Sequence, residues 1–122
     1  MPEFLTYDRA LELLREVIAE KGEDYVYPRV GGTGCYYVRD GAPSCGVGHV
    51  FYRAGRPLEV LAGLDKQDTA SVGGCPMVQH WAEPEALRLL DAFQCQQDLG
   101  VAWGLSLSRA LDEFGRPGDH DG

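Results

Sequence analysis

Pro84-Glu-Ala-Leu-Arg-Leu-Leu-Asp-Ala-Phe-Gln-Cys-Gln-Gln-Asp-Leu99, followed by Gly100-Val-Ala-Trp-Gly-Leu-Ser-Leu-Ser-Arg-Ala-Leu-Asp-Glu-Phe114, decides the fold class of this 122-residue chain. Proline suits the first helical position, where its missing N–H has no partner to lose. Ala86, Leu87, Leu89, Leu90 and Phe93 then recur three and four apart, which predicts a helix from Pro84 to Leu99 closed by Gly100. A further helix from Ala102 to Phe114 presents Trp103, Leu107, Ala110, Leu111 and Phe114 at the same spacing. The short Gly100 link forces the two to lie antiparallel as an αα-hairpin. Opposite the main face, Ala92, Cys95 and Leu99 form a second, weaker apolar stripe. Cover by the last helix is the simpler expectation for it. Left uncovered, the stripe predicts a homodimer about a two-fold axis.

Moving toward the N-terminus, Cys35-Tyr-Tyr-Val-Arg-Asp-Gly-Ala-Pro-Ser-Cys-Gly-Val-Gly-His-Val-Phe-Tyr-Arg-Ala-Gly55 reads as a strand, a turn and a helix. Asp40 and Gly41 are turn formers, Pro43 biases Ala42 away from helical backbone, and Ser44 stands as the N-cap of a helix that begins at Cys45. At 100° per residue, Val47, Val50, Phe51 and Ala54 share the core face while Cys45, His49 and Tyr52 share the other. Cys45 and His49, one turn apart beside the positive end of the helix, are the candidate catalytic pair. The expectation is a partly exposed thiol of lowered pKa with His49 within one water of it and Tyr52 alongside. The competing reading makes Cys45 a small buried hydrophobe, with Gly46 and Gly48 admitting a neighbouring backbone.

Thr6 caps a first helix ending near Lys21, with Tyr7, Ala10, Leu11, Leu13, Leu14, Val17 and Ile18 in one arc. Tyr25-Val26-Tyr27 and Cys35 to Val38 have strand composition and predict a β-hairpin around the glycine-bearing segment 29–34. That segment lacks the Gly-Lys-Ser/Thr ending of a phosphate loop and leads into a strand, so no nucleotide cofactor is expected. Pro57 opens a short helix with Leu58, Leu61 and Leu64 inward. Asp65 to Gly74 reads as an exposed loop, and Gly115 to Gly122 as a polar tail. The chain is one domain of mainly helical α+β class, with four to five helices and one short hairpin.

Eleven Lys and Arg against nineteen Asp and Glu give a formal charge of −8. Nucleic-acid backbones and anionic membranes are disfavoured by that balance. No signal-like or membrane-spanning run is present, so a cytoplasmic setting is expected, with the four cysteines as thiols or metal ligands. Zinc held by Cys35, Cys45, His49, Cys75 and His80 is the structural alternative. Its weakness is the lack of a closely spaced ligand pair.

Lys21-Gly-Glu-Asp-Tyr-Val-Tyr27, Ser44-Cys-Gly-Val-Gly-His-Val50 with Arg53-Ala-Gly55, and Gln97-Asp-Leu-Gly-Val-Ala-Trp-Gly104 resemble a family of small uncharacterised proteins of actinobacteria and their bacteriophages. The resemblance implies a small intracellular accessory protein, phage-encoded, and implies no activity for any residue. Three function classes follow: an interaction protein acting on a host protein or on itself, a small-molecule-binding or Cys-His hydrolase-like enzyme centred on Cys45, and a zinc-stabilised domain.

Overall fold

The computed structural model describes residues 2–28, 37–39, 41–64 and 78–115. Five helices and one two-stranded antiparallel hairpin make up the described chain: α1 (Tyr7–Lys21), β1 (Val38–Arg39), β2 (Ala42–Pro43), α2 (Gly46–Arg53), α3 (Leu58–Leu64), a one-turn 3-10 helix (Val78–His80), α4 (Pro84–Asp98) and α5 (Trp103–Phe114). None of these helices is long and apolar enough to cross a membrane.

Thr6 caps α1 by accepting the Arg9 N–H, and all seven residues of its apolar arc are buried. A second cap comes from far along the chain, where Glu83 Oε1 accepts the Tyr7 N–H at 2.6 Å. Around it, Leu5 forms an isolated parallel bridge with Ala82. The Leu5 N–H reaches Trp81 O and the Glu83 N–H reaches Leu5 O, each at 2.9 Å. These bonds satisfy backbone groups that helix starts leave open.

α4 and α5 pack as the antiparallel pair that the Gly100 link dictates, and Gly100 takes the positive φ of 87° that a sharp helix end demands. α1, α3, α4 and the hairpin surround α2, whose Val47, Val50 and Phe51 are fully buried. Leu61 and Leu64 of α3 close another side of the core.

The hairpin lies elsewhere than the composition predicts. Its strands pair Val38 with Pro43 and Arg39 with Ala42 across the turn at Gly41. Tyr25 to Tyr27 is irregular instead of extended into a ladder. Its backbone is committed to α5: the Trp103 N–H donates to Tyr25 O at 2.8 Å and the Gly104 N–H to Glu23 O at 2.9 Å. Tyr25 also sets its ring edge-on to Trp103, centroids 4.7 Å apart. Capping a helix start and covering an indole outweigh weak β-propensity. Segment 29–34, the Asp65 to Gly74 loop and the tail beyond Gly115 lie outside the described residues, as do Cys35, Cys75 and His120.

Candidate functional site

Cys45 does not sit where the helical projection places it. It is the N-cap of α2, not its first residue, and its sulfur turns back to accept the Gly48 N–H at 3.3 Å. Ser44 is displaced from the capping role; its hydroxyl pairs with Tyr27 Oη at 2.7 Å and its N–H donates to Tyr37 O. With the chain extended at the cap, Cys45 leaves the His49 and Tyr52 face and enters the core. Its exposure is 0%, which corrects the expectation of a partly exposed thiol. Buried in the core with its sulfur bonded to the Gly48 N–H, Cys45 uses the N-terminal position for packing.

Gly46 and Gly48 complete that packing. A Cβ on Gly48 would meet Tyr37 O at 2.4 Å, and one on Gly46 would meet the Phe93 ring at 2.4 Å. The first turn of α2 is thus pressed between the β-hairpin and α4. The Gly46 N–H is taken by Gln97 Oε1 at 2.9 Å, and Gln97 Nε2 donates to Asp98 Oδ1 at 3.1 Å. Gln97 is fully buried. Sequence reasoning missed it, although a polar residue one turn beyond Phe93 on the core face was the available signal.

His49 lies half-buried on the other side of α2. Its ring meets Trp103 edge-on with centroids 6.2 Å apart, and its Nε2 is buried with no hydrogen-bond partner. The Trp103 indole N–H, also fully buried, has none either. Burial, and then the charges of Lys21 and Arg53, hold the imidazole below its ordinary pKa, with Glu20 opposing. Arg53 itself donates to Glu20 at 2.6 Å and to Glu16 at 3.4 Å. The neutral imidazole is therefore a packing group with one idle nitrogen. Tyr52, 46% exposed, points to solvent. The three residues proposed as a catalytic group are distributed over the core, the half-buried flank and the surface.

Of the possible zinc ligands, Cys35 and Cys75 lie outside the described residues. Cys45 is buried in the core and His80 is exposed on the 3-10 helix. Among the described residues no three His, Cys, Asp or Glu side chains come together to hold a metal. A cleft of about 230 Å³ runs between α1 and α5, floored by Ile18, Ala19 and Leu107. It falls below the roughly 300–1,000 Å³ of ordinary small-molecule sites.

The outer face of α4 is a further candidate. Ala92 is half-buried, Cys95 is exposed and Leu99 is 71% exposed. The expected cover by α5 does not form. α5 packs against the side of α4 marked by Gln96, whose Oε1 accepts from Arg109 Nη1 at 3.0 Å, and leaves Cys95 and Leu99 open while Ala92 packs partly against the core. Partial burial and the carboxylates of Asp91, Asp98 and Glu113 push the Cys95 thiol above its ordinary pKa. At neutral pH this cysteine is a thiol and acts as a small apolar group.

Compared with protein-family models, curated proteins and solved structures, the chain matches none of them.

Proposed function

We propose that this chain is a small accessory protein that acts by protein–protein interaction through the outer face of α4. The observation that carries the reading is Leu99. A leucine left 71% exposed, in line with an exposed Cys95 on a helix that already buries its opposite face, is a surface whose apolar area gains from cover. The enzymatic alternative is weakened by the burial of Cys45 and by its separation from Tyr52.

The test is photocrosslinking from a benzophenone side chain placed at position 99, with one at the exposed Glu59 position as control. Products formed at 99 and suppressed by excess parental chain, but not by excess Leu99→Asp chain, support the reading. Equal yields at both positions would refute it.

A further inference from the structure

We infer that His49 is an acid-operated latch on the start of α5: neutral, its ring packs edge-on against Trp103, and protonated, it leaves the indole for the Glu20 carboxylate and loosens the first turn of α5. The inference stands apart from the α4 face, to which none of these three residues contributes.

Trp103 opens α5 and carries the joint between that helix and the segment after α1. Its backbone N–H donates to Tyr25 O at 2.8 Å, and the following Gly104 N–H donates to Glu23 O at 2.9 Å. Three rings meet the fully buried indole edge-on, with centroids at 4.7 Å for Tyr25, 5.9 Å for Phe93 and 6.2 Å for His49. Of these, histidine alone is the type of side chain that changes charge between about pH 8 and pH 5.

The polar atoms of the His49–Trp103 contact suit only the neutral imidazole. His49 Nε2 is buried without a hydrogen-bond partner, and the one polar atom of the indole, Nε1, has none either. The indole can offer that nitrogen a donor but never an acceptor. An imidazolium carries an N–H at both of its nitrogens. Acid therefore puts a charge and a further donor at a buried position where the touching ring cannot accept, an arrangement that burial strongly disfavours.

Relief lies on the outer side. The ring is half-buried, which gives it a path toward solvent. Among the described residues the charged groups that face it are Glu20 and Lys21 of α1 and Arg53, one turn further along α2, while α5 meets it with the uncharged Trp103. Burial, Lys21 and Arg53 favour the neutral ring, and Glu20 alone favours the cation. Arg53 holds Glu20 through Oε2 at 2.6 Å, so Oε1 is left for an imidazolium. Lys21 lies over the Tyr25 ring instead, 5.5 Å from its centroid. Once His49 swings out, Trp103 loses one of its three ring contacts, and the two backbone bonds at the joint open more often.

The experiment is an NMR titration of the full chain, labelled with fluorotryptophan, from about pH 8 to pH 5. Trp81 and Trp103 are the two tryptophans, so Trp81 serves as internal reference. Below the His49 midpoint the NOE between the His49 and Trp103 rings should vanish. The Trp103 fluorine signal should move with that midpoint while the Trp81 signal stays in place. The Trp103 and Gly104 amides, corrected for the intrinsic pH dependence of exchange, should exchange about tenfold faster relative to the core amides of α1. His49→Gln should abolish both pH responses, and Glu20→Gln should lower the His49 midpoint. A ring NOE that persists in the protonated protein overturns the inference and needs no variant to be seen. So do an unmoved Trp103 signal, amides that speed up equally along the whole chain, and a Glu20→Gln midpoint equal to the parent's.

Discussion

Gln97 of α4 accepts the Gly46 N–H of α2 at 2.9 Å, across 51 positions of sequence. A buried side chain thereby supplies the acceptor that a helix start cannot find within itself. Gln97→Leu keeps the volume roughly and removes the acceptor, leaving a buried N–H unsatisfied. The expected loss is about 1–3 kcal/mol of unfolding free energy, read from a urea titration. An unchanged midpoint would show that Gly46 has another acceptor.

Gly48→Ala tests the contact between α2 and the hairpin. Alanine gains about 0.8–1.0 kcal/mol of intrinsic helix propensity over glycine. Its Cβ, however, would lie 2.4 Å from Tyr37 O, and a backbone atom yields less readily than a side chain. Overpacking of this kind costs about 1–3 kcal/mol, so the expected sign is destabilising. A more stable Gly48→Ala protein would mean that the hairpin gives way at no cost.

His49 sets an acid limit on stability. Its folded pKa is depressed by burial and by the neighbouring cations, while the unfolded chain protonates near the ordinary value of 6.5. The unfolded state therefore binds the proton first. The contribution of the neutral imidazole is complete above about pH 6.5 and is lost as pH falls through the folded pKa. Thermal melts of the parent should drop as pH falls below about 6.5, and His49→Gln should flatten that decline. An equal slope in both proteins would assign the acid sensitivity to other groups.

Native-state alkylation should separate the two described thiols. Cys95 is exposed and should react without unfolding, with a rate that keeps rising at pH values above the ordinary thiol pKa of about 8.5 because its own is raised. Cys45 is fully buried and should react only when α2 undocks. Peptide mass mapping after a short exposure distinguishes them. Rapid labelling of Cys45 in the folded protein would revive the nucleophile hypothesis.

Helical periodicity made most of the architecture legible. The apolar arc of α1, the core face of α4, and Val47, Val50 and Phe51 of α2 with its C-cap Ala54 are buried as their spacing predicts, because a packed helix repeats one local geometry. The strands were not legible in the same way. Two-residue strands carry no periodicity, and Tyr25 to Tyr27 gives its backbone bonds to α5, a choice made by tertiary contact. The site failed for a related reason. Moving the cap from Ser44 to Cys45 removes one residue from the helical projection, and that single step takes the sulfur from the flank into the core. The exposure of Leu99 depended on which side of α4 its neighbour would take, and the length of the Gly100 link does not fix that.

The stitching of Leu5 to Ala82, and of Tyr7 to Glu83, orders events during synthesis. The first helix is made first, yet the residue that closes its leading turn is translated long afterwards. A nascent chain ending at Leu64 lacks Glu83 altogether, as well as the α4 surface on which α1 and α2 settle. Folding on the ribosome is thus deferred until the second half emerges. Force profiles of arrested nascent chains should stay flat until Glu83 has cleared the exit tunnel.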